Sequence, residues 1–213
     1  MLQLVQFTFN PFSENTYLWI NEHKECWITD PGMYGAEEES VLTNYIAEQG
    51  LTPKFIFNTH THIDHIFGVD VLKQKYNIQW GIHRQELPIL DNAVGSAMMF
   101  GFNFRVAPQA DFFMEAGTPL QLGNDTLDVR LVPGHSPGSL AFYYEEGQLV
   151  VSGDVLFQHS IGRTDLPGCN HEDLLQSIRQ QLYPLPEATK VYSGHGPYTT
   201  IGEEKKANPF IRG

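Results

Sequence analysis

Apolar and polar positions alternate from the start of the chain. Gln3–Phe9 changes character at nearly every step and is rich in branched and aromatic residues, the pattern of a strand with one buried face. Thr16–Ile20 and Glu25–Thr29 read as two more strands around the turn Asn21-Glu22-His23-Lys24, and Asp30-Pro31-Gly32 stops the third. The period then changes. Across Gly35–Gln49, Val41, Leu42, Tyr45 and Ile46 recur at helical spacing behind an acidic first turn, Glu37-Glu38-Glu39, and Gly50 is placed to end the helix. Lys54–Asn58 is a short apolar run, a buried strand; His65–Tyr76 predicts a helix and Gln79–Ile82 a further strand. The first ~80 residues therefore predict a β-meander followed by helix, strand, helix, strand.

The second half repeats that order. Leu120–Leu122 and Thr126–Val132 have strand character, Ser139–Tyr144 and Gln148–Ser152 form a hairpin around Glu145-Glu146-Gly147, His171–Leu182 is amphipathic, and Lys190–Ser193 is a last short strand. Gly95–Phe104 is apolar without a clean period. It reads equally as a core segment and as a mobile flap or oligomer contact, uses to which Met and Phe are suited. No low-complexity linker and no repeat divides the chain, so residues 1–213 read as a single domain.

Composition narrows the function. With 13 Lys+Arg against 25 Asp+Glu the formal net charge is −12, and the only adjacent basic pair is Lys205–Lys206. Such a surface repels phosphate backbones, so nucleic acid is not an expected partner. Two cysteines, Cys26 and Cys169, make no disulfide framework and suit a reducing compartment. No basic-then-apolar leader and no apolar run of ~20 residues is visible, which predicts a cytoplasmic protein without a membrane partner. The unusual count is histidine: nine, nearly as many as the ten aspartates.

Four of those residues fall in one stretch, Thr59-His60-Thr61-His62-Ile63-Asp64-His65. From composition, an H-x-H-x-D-H pattern arises by chance with a probability on the order of 10⁻³ in a chain of this length. Neutral imidazoles beside carboxylates are the donor set of a borderline-soft divalent metal. The motif leaves a buried strand and enters a helix, a place where sites form. His60 and His62, two apart on extended backbone, point to one side. His135 (Pro133-Gly134-His135-Ser136-Pro137-Gly138), Asp154 (Ser152-Gly153-Asp154) and His195 (Ser193-Gly194-His195-Gly196-Pro197) each follow a strand in a Gly-containing loop. Singly each is more often a turn residue; together they line one edge of a fold.

The order T-H-x-H-x-D-H, G-H-S-P-G, S-G-D, S-G-H-G, with gaps of 70, 19 and 41 residues, resembles the metallo-β-lactamase superfamily, and within it the short-form type II glyoxalases (hydroxyacylglutathione hydrolases). Asp30 in Thr29-Asp30-Pro31-Gly32, the turn Gly162-Arg163-Thr164-Asp165 and the ending Asn208-Pro209-Phe210-Ile211-Arg212 match the same pattern. The resemblance implies an α/β (α+β) four-layer αββα sandwich. It implies two divalent metal ions, Zn2+ first and Fe or Mn as alternatives. His60, His62 and His135 would hold one ion and Asp64, His65 and His195 the other, with Asp154 bridging. Five of the nine histidines would thus serve one site. Asp30 would support a ligating imidazole, and Arg163 would face an anionic substrate; the aromatic that follows it in the longer enzymes is Asp165 here.

The implied reaction is hydrolysis of the glutathione thioester S-lactoylglutathione to D-lactate and glutathione. A hydroxide between two ions would attack the carbonyl, with Asp64 orienting it. The leaving thiol has a pKa of only ~8.5, so little acid assistance is needed. The helical domain that grips glutathione in the longer enzymes has no counterpart in this sequence, which predicts loose specificity. A mononuclear-iron persulfide dioxygenase and a phosphodiesterase of the superfamily are the alternatives. His23, His83, His159 and His171 are expected to be surface or structural, His159 being the one nearest to Asp154 in sequence. Cys169 is expected to be an inert loop thiol.

Overall fold

The computed structural model describes residues 1–213. The opening alternation forms three antiparallel strands, β1 (Gln3–Phe9), β2 (Glu14–Ile20) and β3 (Glu25–Thr29). There follow α1 (Ala36–Glu48), β4 (Thr52–Phe57), a 3-10 turn (Ile63–His65), α2 (Val69–Tyr76), β5 (Gln79–His83), α3 (Leu87–Asp91), α4 (Ala93–Met99) and β6 (Phe112–Met114). The second half supplies β7 (Leu120–Leu122), β8 (Asp125–Leu131), β9 (Leu140–Tyr144), β10 (Leu149–Gly153), β11 (Leu156–Phe157), β12 (Ser160–Ile161), α5 (His171–Ser177), β13 (Lys190–Ser193), β14 (Thr199–Thr200) and α6 (Ile201–Ala207).

Two mixed six-stranded sheets result. The first runs β1 to β6 in chain order, antiparallel up to β3 and parallel beyond it. The second runs β14-β13-β10-β9-β8-β7, antiparallel except for the β13–β10 pair.

The two-residue period of the strands sorts the core. In β2, Tyr17 and Trp19 enter the layer between the sheets, whereas Leu18 and Ile20 join the layer beneath α1 and α2. Phe57 of the first sheet meets Phe142 of the second edge-on, with ring centroids 4.6 Å apart. A third layer packs Ala141, Tyr143, Val150 and Val191 against Leu174 of α5 and Ile201 of α6. The architecture is the expected αββα sandwich. No helix is long and apolar enough to cross a membrane.

Strand direction places the chemistry. β3 and β4 are parallel, β10 and β13 are parallel, and β8 is twice antiparallel to β10 through β9, so within each sheet these strands end at one edge. The two edges are joined where the Asn15 amide donates to the Gly194 carbonyl at 2.7 Å. The loops after β3, β4, β8, β10 and β13 carry Asp30, His60 to His65, His135, Asp154 and His195.

Two helices differ from expectation. The helix predicted over His65–Tyr76 starts only at Val69; His65 lies in the 3-10 turn, because the Gly68 amide is drawn to the Pro31 carbonyl (2.8 Å) and the His65 amide to the His62 carbonyl (3.0 Å). The amphipathic stretch His171–Leu182 is α-helical to Ser177 and widens into a π-turn over Ile178–Leu182. In Gly95–Phe104 the core reading holds in part: Ala97 is buried under the first sheet, while Met98, Met99 and Phe100 are exposed at the end of α4.

Candidate metal centre

The loop after β4 is held from beneath. The Asn58 side-chain amide donates to the carbonyls of His60 (3.2 Å) and His65 (2.8 Å). Asn10 donates to the Asp64 carbonyl (3.0 Å), and Asn15 donates to the carbonyls of Ser193 (3.1 Å) and Gly196 (2.9 Å) on either side of His195. Three asparagines thus occupy backbone acceptors of the loops and fix their course beyond the ends of the strands.

On this frame the seven predicted residues converge. Ligand atoms of His60, His62 and His135 lie within 4.8 Å of one another, as do those of Asp64, His65 and His195. Asp154 stands between the two groups: Oδ2 is 3.5 Å from His135 Nε2 and 3.4 Å from His195 Nε2, and Oδ1 is 3.6 Å from His65 Nε2. His60 Nε2, His65 Nε2 and Asp154 Oδ1 are buried without a hydrogen-bond partner. Buried orphans of this kind are costly unless something completes them. Three pointing into one space, flanked by two carboxylates, fit divalent cations. Gly194 is required there, because a Cβ at this position would overlap Asp154 Oδ1.

The orphaned nitrogens are acceptors because the opposite ring nitrogens are committed. His65 Nδ1–H donates to Asp30 Oδ2 (3.1 Å), His135 Nδ1–H to the Arg163 carbonyl (2.9 Å) and His195 Nδ1–H to the Phe12 carbonyl (3.0 Å). His60 Nδ1–H donates to Thr59 Oγ1 (3.0 Å), whose own hydroxyl donates to Asp30 Oδ2 (2.6 Å). Each bond orients its ring with Nε2 toward the centre, where His135 Nε2 meets His62 Nδ1 (2.9 Å) and His195 Nε2 meets Asp64 and Asp154. Asp30 therefore serves two imidazoles, and it also accepts from the Thr59 amide at 2.7 Å.

Burial, and next the neighbouring His135, push the His62 imidazole down to about 3; burial likewise holds His60 well below its usual range. Burial would raise Asp154, yet the hydrogen bond from His195 and the charges of His65 and His135 hold it well below the usual carboxylate value. Burial opposes a charge on His195 also, but Asp154 and Asp64 outweigh it and lift the ring to about 11. Without a cation, a proton on His195 thus supplies the positive charge that the carboxylates demand.

Two buried acids were not singled out by the sequence. Glu86 accepts from the Thr61 amide (2.8 Å) and hydroxyl (3.1 Å) through Oε2, and from the Ser136 hydroxyl (2.6 Å) and Gly138 amide (2.7 Å) through Oε1. It ties the loop of His60 and His62 to the loop of His135. Glu14, fully buried, has Oε1 3.8 Å from His65 Nδ1, and burial together with Asp30 raises its pKa well above the usual range. Neither lies in a motif. The one sequence cue is an acid beside an otherwise apolar strand or helix start.

The weaker candidates fall as follows. Arg163 supports His135 through its backbone, while its guanidinium makes two bonds to Asp165, 2.7 and 2.8 Å long. Cys169 Sγ donates to the His135 carbonyl (2.9 Å), and burial raises its pKa, so the thiol is a structural donor. His159 faces Glu203 (3.0 Å) instead of the site, and His83 is buried while His23 and His171 are at the surface.

A cleft of about 760 Å3 opens over Asp64, Asp154 and His195. Phe12, Ile89, Ala93, Met99, Phe100 and Phe157 are among its walls, and Arg163 is its only lysine or arginine.

Comparison with known proteins identifies the family and the fold. The family model described as the metallo-beta-lactamase superfamily matches residues 9–195. The hydroxyacylglutathione hydrolase GloC of Haemophilus influenzae is 36% identical over 94% of this chain and 93% of its own. The crystal structure of BLEG-1 B3 metallo-beta-lactamase superposes with a TM-score of 0.91 at 42% identity, covering 99% of this chain and 100% of that one. That of TTHA1623 in a di-iron-bound form gives 0.87 at 36% identity, covering 97% and 100%.

Proposed function

Because the chain belongs to the metallo-beta-lactamase superfamily and is a metallo-hydrolase of that family, we propose that it is a two-metal thioesterase acting on S-lactoylglutathione and related hydroxyacyl thioesters, releasing D-lactate and glutathione. The observation that carries the reading is the position of Asp154, whose two oxygens reach histidines of both triads. His60, His62 and His135 would hold one cation, Asp64, His65 and His195 the other, and Asp154 would be shared. Likeness to the Haemophilus hydrolase supports the thioester.

Two bound divalent cations would lower the pKa of a shared water from ~16 toward 7 and polarise the carbonyl. The protein's own groups then orient the reaction. Asp64 faces the cleft, with Oδ2 3.2 Å from His195 Nε2, and would both help to hold the second cation and orient the attacking hydroxide. Asp30 keeps the His65 and His60 rings from turning. No side-chain nucleophile is needed; the cysteine nearest the site is engaged with the His135 carbonyl. Zinc is the proposed metal, and the di-iron form of a similar protein makes iron the alternative.

The test is thiol release from S-lactoylglutathione by the metal-replete protein, with elemental analysis of the same preparation. Two metals per chain and turnover are expected. One iron per chain with oxygen uptake on glutathione persulfide would instead establish the dioxygenase alternative. β-Lactam cleavage without thioester turnover would move the reading toward the activity named for BLEG-1.

A further inference from the structure

The walls of the cleft do not match the charge of glutathione, which bears two carboxylates and one ammonium group. Arg163 is the only lysine or arginine lining the cleft, and the Nε–Nη2 edge of its guanidinium is taken by Asp165. A substrate carboxylate is left the Nη1 side, without the bidentate Nε–Nη2 fork, and a single such group cannot match two carboxylates. The apolar groups, by contrast, are free. Met99 is 86% and Phe100 56% exposed, an unusual position for side chains of this size. Phe100 stands edge-on to Phe12 with centroids 5.3 Å apart, and the Phe12 carbonyl holds the His195 ring. On the far side, Phe157 lies 6.4 Å from the His195 ring. The apolar lip thus continues to the ligand atoms of the second triad.

We propose that the substrate carries an uncharged apolar group, of the size of a phenyl ring or a medium alkyl chain, and that Phe12, Met99 and Phe100 form the subsite that selects it. This rests on the thioesterase reading and moves its preferred substrate from the glutathione conjugate to an apolar thioester: the chemistry is at a thioester, and recognition is through hydrophobic burial. Glutathione conjugates would then react through the thioester alone, with high KM.

The experiment uses two series of neutral thioesters and the metal-replete protein. In one, N-acetylcysteamine carries acyl groups from acetyl to octanoyl; in the other, acetyl is carried by thiols from ethanethiol to octanethiol. Thiol release is followed, with S-lactoylglutathione alongside. KM should fall about two- to fourfold per added methylene in one series, as burial of a CH2 in an apolar site implies. That slope should flatten in Met99→Ser/Phe100→Ser, which alters only exposed side chains. Binding of the non-hydrolysable thioether S-octyl-N-acetylcysteamine, measured calorimetrically against its S-ethyl analogue, gives a second readout that needs no turnover. Thioester hydrolysis with KM flat in both series, or lower KM for S-lactoylglutathione than for every octyl compound, overturns the subsite and leaves the thioesterase standing. Tighter binding of the octyl thioether with no thioester hydrolysed supports the subsite and removes the thioesterase. A dimer in sedimentation that Phe100→Ser dissociates would show that a second copy covers the lip, and would overturn the proposal.

Discussion

Replacing Glu86 by Gln tests how the loops around the triads are held together. The carboxylate is fully buried and accepts four hydrogen bonds, two per oxygen, from Thr61 on one side and from Ser136 and Gly138 on the other. A hydroxyl can rotate away when its acceptor changes, but a backbone amide cannot. One backbone N–H points at each oxygen, at 2.8 Å from Thr61 and 2.7 Å from Gly138. The glutamine NH2 group must therefore face one of them, donor against donor, in either orientation. A hydrogen bond to a charged group contributes ~1.5–3 kcal/mol, and an amide left unsatisfied in the interior costs a similar amount, so a loss of about 3 kcal/mol is expected. For a domain of this size that lowers the Tm by roughly 6–12 °C. The consequence for the triad is separable. His60, His62 and His135 sit on the two loops that Glu86 joins, whereas Asp64, His65 and His195 are held by Asn10, Asn58, Asn15 and Asp30. Metal affinity should therefore weaken about 10–100-fold at the first triad and little at the second, as for other outer supports of ligands. Titration of the metal-free variant with cobalt(II), followed by its visible absorption, reads the two sites apart. A variant with Tm within 2 °C of the parent, or with both sites weakened equally, would refute the account.

Other expectations follow from the same geometry. Asp30→Asn removes a charge that steadies His65 and, through Thr59, His60; turnover should fall 10–100-fold with the fold intact by circular dichroism. Cation uptake at the second triad must expel the proton that Asp154 and Asp64 hold on His195. That ring has a folded pKa of about 11, above its unfolded value of ~6.5, so its contribution to the metal-free protein is complete below the unfolded value and is lost as pH rises through the folded one. Metal affinity should accordingly increase with pH between these limits, and calorimetry in buffers of different ionisation enthalpy should show proton release. Chelation should lower the Tm by roughly 8–16 °C for each cation that stands at a thousand times its Kd, the linkage being ~4 kcal/mol per site; a chelator-insensitive Tm contradicts two occupied sites.

What was legible in the sequence was what lies close in the chain. His60, His62, Asp64 and His65 fall within six residues, so their spacing alone announces a metal site. His135, Asp154 and His195 are recoverable because each follows a strand in a glycine-bearing loop, and strand ends converge at one edge of a sheet. β2 was legible because Tyr17, Leu18, Trp19 and Ile20 alternate between two layers that are both buried. β6, β11, β12 and β14 have two or three residues each, too few for a period to show. Glu86 and Glu14 were silent for a different reason. The partners of Glu86 are 25 to 52 positions away in the chain, and Glu14, bonded locally by the Thr16 hydroxyl, faces His65 51 positions on; a buried acid looks like a surface one until its surroundings are known. The register of α4 was hidden because its seven residues put Ala93 and Ala97 on the core and Gly95, Ser96 and Met99 on the cleft, too short and too mixed a helix for a period to show.

The assignment of ligands to sheets gives the site a mechanical consequence that no motif contains. His60 and His62 leave the first sheet, and His135 leaves the second; Asp64 and His65 belong to the first, and His195 to the second. Each triad spans the gap between the sheets, so each cation would join them. At that edge the protein's own links are hydrogen bonds between loops: Asn15 to Ser193, Gly194 and Gly196, His195 Nδ1 to the Phe12 carbonyl, the Leu140 amide to the Thr59 carbonyl (2.8 Å), the Tyr17 hydroxyl to the Ser193 carbonyl (2.6 Å), and Glu86. Away from the edge the sheets are joined by the packed interior of Trp19, Trp27, Phe57 and Phe142. Removing the cations should therefore loosen the loops and leave the interior closed. Amide exchange should rise in residues 59–65, 133–138 and 193–196 after chelation, while β2 and β9 stay protected. Uniform loss of protection would mean that the metals hold the sandwich itself, and that the interior is weaker than its packing implies.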